Sequence, residues 1–331
     1  MKLLSVILLI FLLFIIACED RELLTNADRV SRVRINIVGL NDPGAAAWYE
    51  SWVLWNKEMG QGTDIDTTSL GILQAQGNGT YRVETDIELG FIQAGLTILV
   101  TIEDNDTPGD EPPSDYEIIA AGIAANSGSF SLGNAEILNF KFEEANGTFI
   151  LDTPTETPSS QNPYSGIWFV NPDTTITDIL DDQNNVIGQD TTVEFFPGLE
   201  LPALPIEPAG WTYEAFVETG GQTVSLGKFV QPSGGDDAAT YSGNQPAYPF
   251  PGEDLLNNPP AGLTFPVDLR GARAYVTVAP PFPAQGNSPY NVTVFEALIG
   301  GNAQARQLYS LTNTSDTFPS GDLSIDVSIY K

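Results

Sequence analysis

The chain consists of short runs of apolar or alternating residues, interrupted every few positions by Gly, Pro, Asn or Asp. Beyond residue 30, apolar residues rarely recur at the spacing of a surface helix, whereas strict alternation does recur, as in Leu323, Ile325, Val327 and Ile329. The 31 glycines and 24 prolines supply many turns. This pattern predicts an all-β protein. A single helical turn is expected at residues 253–256.

Six short blocks occur twice in the same order, which indicates an internal duplication. The first block is Tyr49-Glu50-Ser51-Trp52-Val53, which matches residues 213–217. The pairs of blocks begin at residues 49 and 213, 69 and 225, 80 and 240, 100 and 276, 116 and 290, and 149 and 309. We therefore predict two tandem β-sandwich domains, residues 31–157 and 158–331.

Alternation within the blocks assigns side chains to the two faces of each predicted strand. Tyr49 and Val53 share one face of their strand, and Ile98, Val100 and Ile102 share one face of another. We expect both faces to point into the core of the first domain.

The first 17 residues predict a lipoprotein signal peptide. The positive charge of Lys2 precedes an apolar run, Leu3 to Ala17, that is short for a membrane span and typical of a signal-peptide core. The run ends at Cys18, the only cysteine of the chain. This junction resembles the lipobox of bacterial lipoproteins, in which the cysteine carries the lipid. An ordinary signal peptide and an uncleaved anchor are the alternatives.

Residues 18–30 then comprise the lipidated Cys18 and a tether. The lipid would hold the protein on a membrane, and a chain with one cysteine forms no intramolecular disulfide. The acidic residues within 19–22 resemble the surface-export signal of Bacteroidetes-type lipoproteins, although a solvated tether explains them equally well. We expect a lipid-anchored protein of the bacterial cell envelope, on the surface or the periplasmic face of the outer membrane.

The repeated blocks resemble the C-terminal extracytoplasmic domain of anti-sigma-K factors (RskA). The resemblance rests on Tyr-Glu-x-aromatic-Val, on Ser-Leu-Gly, and on a Val-Thr-Ile-Glu strand before an acidic, Pro-containing loop. The second copy departs from it, with Ala279-Pro280 in place of Glu103-Asp104. The resemblance implies a small β-sandwich in each half. We expect no anti-sigma activity, because only 17 residues precede Cys18 and leave no room for a sigma-binding segment.

The composition excludes several functional classes. The chain has 13 Lys and Arg against 43 Asp and Glu, a formal net charge of −30, so it repels the phosphate backbone of nucleic acids. It contains no histidine, which excludes Ser-His-Asp and Cys-His mechanisms and His-ligated metal sites. The acidity itself fits either a high-salt habitat or an ordinary secreted surface.

One acidic loop has the spacing of a calcium site. Asp104, Asp106, Gly109 and Asp115 match positions 1, 3, 6 and 12 of an EF-hand-like loop. Pro108 and the flanking strands depart from that motif. Weakly bound calcium is one interpretation, and a solvated loop between strands is the other.

Aromatic and acidic residues of the first block are further candidates. Trp48 and Trp55 have no aromatic counterparts in the second copy, which makes them candidates for stacking on a sugar ring, with a place in the core as the alternative. Glu50 and Glu214 recur in both copies. We expect them to form hydrogen bonds between strands rather than to act as a catalytic acid pair.

Residues 225–228 read Ser-Leu-Gly-Lys, which is the S-x-x-K string of penicillin-binding enzymes. That chemistry needs Ser225 and Lys228 on the same side of their element. Residues three apart on a strand face opposite sides, so the sequence predicts a junction of turn and strand here.

These observations together predict a non-catalytic, membrane-anchored lipoprotein that binds or scaffolds at the cell envelope, without a cofactor. Its expected partners are the membrane, through the lipid, and an envelope protein or a glycan. One alternative is a signalling lipoprotein that contacts an anti-sigma or sensor partner. The other is a glycan-active enzyme, which needs two carboxylates about 5–10 Å apart in a cleft.

Overall fold

A computed structural model describes residues 29–43, 47–56, 65–88, 96–104, 113, 117–123, 129–132, 142–156, 162–204, 210–279 and 292–329. Within these residues the fold is all-β, as predicted, and the helical segments are single 3-10 turns at Phe142–Glu144 and Ser315–Thr317. The turn expected at residues 253–256 was wrong. Gly252–Asp254 is extended, because it pairs antiparallel with Gly166–Trp168.

The strands of the described residues are numbered in chain order. They are β1 Arg29–Val38, β2 Ala47–Asn56, β3 Ile65–Ile72, β4 Gln74–Gly77, β5 Thr80–Glu88, β6 Leu96–Asp104, β7 Glu117–Ile123, β8 Ser129–Leu132, β9 Asn146–Leu151, β10 Gly166–Trp168, β11 Val170–Leu180, β12 Val186–Pro197, β13 Leu199–Glu200, β14 Thr212–Thr219, β15 Gln222–Phe229, β16 Gly252–Asp254, β17 Arg273–Ala279, β18 Val292–Leu298, β19 Tyr309–Ser310, β20 Thr312–Asn313 and β21 Ser320–Ile329.

The first unit consists of two sheets that share one apolar core. One sheet has the strand order β4-β5-β1-β21-β8 and the other has the order β3-β2-β6-β7. Ile35 and Ile37 of β1 meet Val53 of β2 and Ile98 and Val100 of β6 in a single buried cluster. The faces that alternation assigned to the core are therefore confirmed for these strands.

The second unit has the same two-layer plan. One sheet has the order β15-β14-β17-β18-β20, and the other has the order β13-β9-β10-β16, with β19 also paired to β9. Tyr213, Val224 and Val276 of the first sheet pack against Phe149 and Ile167 of the second. The two units are in contact, because Ala279 at the end of β17 packs in the core of the first unit.

Three pairs of repeated blocks, those that begin at residues 49 and 213, 69 and 225, and 100 and 276, lie on strands with corresponding neighbours in the two units. The pair at 116 and 290 lies in part outside the described residues. Ser51 of β2 lies opposite Val100 of β6, and Ala215 of β14 lies opposite Val276 of β17. The pairings β6–β7 and β17–β18 change register after these same two valines. The matching pairings and irregularities indicate that these strands of the two units follow a common plan.

Two of the expected block pairs are not structural equivalents. Tyr81 belongs to β5, whereas Tyr241 lies in irregular backbone after β15. Phe149 of β9 and Tyr309 of β19 lie directly opposite each other in one sheet. The two residues are neighbours on one face of one sheet, so they are not two copies of one position.

The division of the chain at residues 157 and 158 also needs correction. β9, expected in the first domain, pairs with β10 in the second unit. β21, expected in the second domain, pairs with β1 of the first unit over ten residue pairs. In the first unit β1 lies between β5 and β21, and in the second unit β10 lies between β16 and β9. The first unit therefore contains β21 from the predicted second domain, and the second unit contains β9 from the predicted first domain.

The second unit is thus inserted between two neighbouring strands of the first. Leu132 at the end of β8 lies opposite Gly321 near the start of β21. The chain also enters and leaves the second unit side by side, since the Asn313 amide donates to the carbonyls of Phe142 and Ala145, at 2.7 and 3.0 Å. Insertions are tolerated where the two ends lie close together.

This topology predicts which fragments fold. Residues 142–318 alone should unfold cooperatively, because they contain every strand of the second unit, whereas residues 31–157 and 158–331 should each lack a central strand. Residues 29–132 joined by a short Gly-Ser linker to 320–329 should also fold. Thermal melts followed by circular dichroism and amide NMR spectra distinguish the fragments.

A point substitution checks the same topology in the whole chain. Leu323 of β21 is fully buried in the first core, so Leu323→Ala should lower the free energy of unfolding by about 2–5 kcal/mol. Leu298→Ala is the control, because Leu298 is 77% exposed. Equal melting temperatures of the two variants would contradict the placement of β21.

Candidate functional site

The most conspicuous surface feature is a two-stranded sheet formed by β11 and β12 alone. We call residues 170–197 the hairpin arm. At about 3.4 Å per residue, eleven paired residues extend about 37 Å. Beyond its base nearly every side chain of both strands is exposed. An isolated two-stranded hairpin is marginally stable in water, so its stability must come from its attachment and its turn.

The base of the arm is attached to the second unit by aromatic packing. Phe195 of β12 contacts Tyr248, with ring centroids 4.4 Å apart, and Tyr248 packs edge-on against Trp168. Val170, the first residue of the arm, belongs to the same buried cluster. The arm therefore starts from a fixed position.

The tip of the arm is organised by one carboxylate. Asp181 accepts hydrogen bonds from the backbone N–H groups of Gln183 and Asn185, both at 2.8 Å, and from the Asn185 amide. These hydrogen bonds lower the pKa of Asp181. Asn184 adopts the left-handed backbone conformation that this tight turn needs. The turn is therefore preorganised.

One face of the arm is apolar. Directly opposed residues of antiparallel strands share a face, so Val193, Ile176, Leu180 and Val186 lie on the same face as the anchoring Phe195. Asp178 is the one carboxylate on this face, and it accepts a hydrogen bond from the amide of Gln189 opposite at 2.8 Å. Seven of the twelve exposed large apolar residues in the described part of the chain belong to the arm. They are Ile176, Ile179, Leu180, Val186, Ile187, Val193 and Phe196. Exposed apolar surface of this kind marks interaction sites.

The opposite face, which we call the acidic face, carries three carboxylates, with the apolar Phe196 and Ile179 at its two ends. Asp173 and Glu194 lie directly opposite each other on it, and Asp190 lies further along, opposite Thr177. Residues 170–197 contain six Asp and Glu and no Lys or Arg. Like charges that lie directly opposite destabilise a pair of strands, so Asp173 and Glu194 do not stabilise the arm.

Sequence reasoning missed the arm. Its signals are present, since two alternating runs flank the polar turn at residues 181–185. The repeat search passed over it because the first unit has no counterpart among the described residues, where β1 is followed directly by β2.

Most of the predicted site residues lie outside the described residues. These are Cys18, Asp106 and Asp115, together with the side chains of Trp55 and Asp104, whose backbones belong to β2 and β6. The lipid attachment, the calcium site and the role of Trp55 remain predictions.

Trp48 is half-buried at the start of β2, and its indole N–H donates to Glu50 at 3.1 Å. Trp52, two residues on, is 4% exposed and donates to Thr101 at 2.9 Å. Trp48 therefore has a polar partner within the protein, and its half-exposed ring stays a candidate for stacking on a sugar.

Glu50 and Glu214 have the same local role in the two units. The hydroxyl of Ser69 donates to Glu50 at 2.5 Å, and the hydroxyl of Ser225 donates to Glu214 at 2.7 Å. The hydrogen bonds between strands that the sequence predicted are therefore confirmed. Burial raises the pKa of Glu214.

The prediction that Ser225 and Lys228 face opposite sides of their strand was wrong. Glu214 lies opposite Lys228 and Phe216 lies opposite Ser225, because a β-bulge at Leu226 inserts one extra residue. Both side chains consequently lie on one face beside Glu214, with the Lys228 Nζ 3.8 Å from its carboxylate. Gly227, at φ +118°, supplies the backbone conformation that the bulge requires.

A bulge at the corresponding place in the first unit indicates that the cluster of Ser225, Lys228 and Glu214 has a structural role. Gly71 follows Leu70 there at φ +107°, and its N–H donates to Ser69. The corresponding N–H of Gly227 donates to Ser225. Ile72 replaces the lysine. A serine and a glutamate therefore fix a bulge in both units, with or without a lysine.

Buried carboxylates organise the long loop between β15 and β17. Asp236 accepts from the N–H groups of Ala238 and Gly252, at 2.9 and 2.8 Å. One oxygen of Glu253 accepts from the N–H groups of Tyr241 and Ser242, and its other oxygen is buried without a hydrogen-bond partner.

Asp254 is the last residue of β16, and Asp152 directly follows β9. Asp254 accepts from the Trp168 indole at 2.8 Å and from the N–H and hydroxyl of Thr155. Asp152 accepts from the Tyr248 hydroxyl at 2.7 Å and from Arg306 at 3.0 Å. Both oxygens of Asp254 are thus occupied by protein donors, which is the pattern of a structural carboxylate.

Burial also changes the acidity of these groups. It raises the pKa of Glu253 to about 7 and the pKa values of Asp236 and Asp254 to about 6. Desolvation is the main cause, and the mutual repulsion of neighbouring carboxylates adds to it.

An open pocket of about 490 Å³ lies at the end of the second unit, lined by Glu218, Arg270 and Arg273. Its cations are already paired, Arg270 with Asp268, and Arg273 with Glu296 and Glu218. In the described part of the chain, no group of three or more Cys, Asp or Glu is placed to hold a metal ion. None of the helical segments described there has the length and apolar character needed to span a membrane.

The sequence matches no family model, no curated protein and no solved structure. The resemblance to the anti-sigma-K domain is therefore carried by the quoted motifs alone.

The raised pKa values predict a pH dependence of stability. A carboxylate whose pKa is raised on folding contributes most stability below its unfolded pKa, near 4, and loses it as the pH rises through the folded value of about 6 to 7. The second unit should therefore melt at a higher temperature at pH 5 than at pH 8.

Glu253→Gln tests the assignment. The substitution should stabilise the protein at pH 8 by about 1–3 kcal/mol and flatten the pH profile, whereas Glu143→Gln, at an exposed residue, should leave the profile unchanged. A pH profile that is equally steep in Glu253→Gln would contradict the role of Glu253. Denaturant unfolding between pH 5 and pH 8 provides the measurement.

The serine–glutamate pair at the second bulge gives another prediction. Ser225→Ala should lower the free energy of unfolding by about 1–2 kcal/mol, because Glu214 loses its hydroxyl donor. Lys228→Ala should change it by less than about 0.5 kcal/mol, since that ion pair is long and exposed. Labelling of Ser225 by a fluorescent penicillin would instead indicate a reactive serine.

Proposed function

We propose that this protein is a non-catalytic, lipid-anchored module of the bacterial cell envelope, and that the hairpin arm is the element through which it binds a partner. The observation that carries the proposal is the arm itself. It projects from the second unit, exposes seven large apolar side chains and is covered by no other strand of the described residues. A monomeric surface has no structural need for such an element.

The packed base and the hydrogen-bonded turn of the arm support a binding role. Its base is packed among Phe195, Tyr248 and Trp168, and Asp181 fixes its turn. A preformed contact surface loses little conformational entropy on association. The two β units then serve as the scaffold that presents the arm.

The environment of the buried acids supports a non-catalytic role. The glycan-active alternative needs two carboxylates in a cleft open to substrate. Asp152 and Asp254 lie near each other but are 2% and 0% exposed, and they are engaged by Trp168, Tyr248 and Thr155. The pocket lined by Glu218 lies elsewhere, and its carboxylate is paired with Arg273.

The anchor is supported by the sequence alone. An apolar run that ends in Ala17-Cys18, with Cys18 the only cysteine, is the pattern of a lipid-modified N-terminus. The resemblance of the blocks to the anti-sigma-K domain supports an extracytoplasmic location. If the partner of the arm is an anti-sigma or sensor protein, the protein is a signalling lipoprotein, which is a special case of this proposal.

Site-specific photo-crosslinking in the intact host tests the contact. A photoreactive amino acid at Ile176 or Val193 should form an adduct of discrete mass, whereas one at Leu298, exposed on the second unit outside the arm, should not. Equal yields at all three positions, or no adduct at any, would overturn the assignment of the arm.

The anchor is tested separately in the same host. Mass spectrometry of the N-terminal peptide should find acyl chains on Cys18, and Cys18→Ser should release the protein from the membrane fraction. An unmodified thiol in the native host would overturn the anchor and leave the contact assignment standing.

A further inference from the structure

We propose that the hairpin arm binds an extended polypeptide segment in which apolar residues alternate with Lys or Arg, and that this segment adds as a third strand to an open edge of the arm. This inference rests on the proposed function, because it names the chemistry of the partner that the arm would bind. Four properties of the arm lead to it.

The first property is uncompensated charge. Residues 170–197 carry six carboxylates and no cation. Elsewhere in the described residues, seven Lys and Arg side chains form ion pairs, and none of these pairs reaches the arm. The seven are Arg32, Arg34, Arg82, Lys228, Arg270, Arg273 and Arg306. Among the described residues, the arm is thus left without a cation, and a bound partner would supply one.

The second property is the arrangement of that charge. Asp173 lies opposite Glu194, and Asp190 lies on the same face one pair beyond Thr175 and Thr192. A carboxylate pair of this kind destabilises the hairpin unless a cation lies beside it. Lys or Arg side chains of an added strand would lie beside the pair on the acidic face.

The third property is the open edge. The arm is a sheet of two strands, and no other described strand pairs with it, so the outer edge of each strand presents backbone N–H and C=O groups that are open to a partner. A peptide that adds to a sheet edge gains main-chain hydrogen bonds, and its side chains alternate between the two faces of the sheet.

The fourth property is the difference between the two faces. Ile176 and Val193 lie on the apolar face, and Asp173 and Glu194 lie on the acidic one. Successive side chains of an added strand would point alternately to the apolar face and to the acidic face. Apolar residues would cover the first face, and basic residues would neutralise the second. The alternation of apolar and basic residues in the partner sequence therefore follows from the two-residue period of side chains along a strand.

Two other partners fit less well. The arm of a second copy of this chain would bring another six carboxylates and no cation to an arm-to-arm contact. A lipid surface would have to accept Asp181 and Asp182 at the tip of the arm, and the anionic headgroups of bacterial membranes would repel the acidic face.

Binding of short labelled peptides to the full chain in detergent tests the proposal. The probes are a ten-residue peptide of alternating Lys and Val, a Glu-Val peptide and a Lys-Gly peptide. Fluorescence anisotropy gives the affinity. Amide hydrogen exchange over residues 171–196 gives the site, because an added strand protects one edge of the arm. We expect the Lys-Val peptide to bind at least tenfold more tightly than the other two.

Paired variants separate charge from apolar contact. Asp173→Asn with Glu194→Gln, and Ile176→Thr with Val193→Thr, should each weaken binding of the Lys-Val peptide at least tenfold. The matched controls, Glu143→Gln with Asp316→Asn and Ile72→Thr with Leu298→Thr, alter exposed residues outside the arm and should change binding less than twofold. Raising NaCl from 50 to 300 mM should weaken binding strongly.

Three results would overturn the proposal. Equal binding of the Lys-Val and Lys-Gly peptides would show attraction by charge alone. Protection of the arm by vesicles of phosphatidylglycerol, without protection by the peptide, would identify a membrane contact. If crosslinks form at Ile176 and Val193 in cells but the peptide leaves the arm unprotected, the arm is a contact site and the partner chemistry is wrong. If both experiments fail, the proposed function fails with it.

Discussion

The antiparallel pairing of β1 with β21 determines how the rest of the molecule is arranged. β1 contributes Val33, Ile35 and Ile37 to the first core, and β21 contributes Leu323 and Ile325 beside them. Without β21, the edge of β1 would be open and the core would lose two buried side chains. Because β21 follows every strand of the second unit, the first unit is complete only after the whole second unit has been made. The pairing thus links the two units through topology as well as through contact.

Local features of the sequence predicted the core well. Alternation identified the inward faces of β2 and β6, since the side-chain period of a strand is fixed by the backbone. It could not identify the neighbours of a strand, because neighbours are chosen by long-range packing. For that reason Phe149 and Tyr309 were matched as copies although they lie side by side. The division of the chain into domains failed on the same point.

The chemistry of particular sites was harder to predict. A single extra residue, Leu226, brought Ser225 and Lys228 to the same face, and no pattern of apolar residues reveals a bulge of this kind. Glu253 and Asp254 were read as a helical turn because their neighbours along the chain look helical. In the structure they are extended because β16 pairs with β10, and their carboxylates accept from donors that lie 11 to 99 residues away. The arm was overlooked because it belongs to neither copy of the repeat.

The position of the connections to the second unit has a mechanical consequence. Arg29 lies opposite Ile329 at one end of the β1–β21 ladder, whereas Val38 lies opposite Ser320 at the other. The chain reaches the second unit at this far end, after Leu132 and before Ser320. Tension between residue 29 and the second unit therefore pulls β1 and β21 lengthwise past each other. Such shear loads all the rungs of the ladder together, instead of opening them one after another from an end. Force applied through the arm while residue 29 is held would consequently load the first unit in shear, the direction in which the β1–β21 ladder resists most strongly.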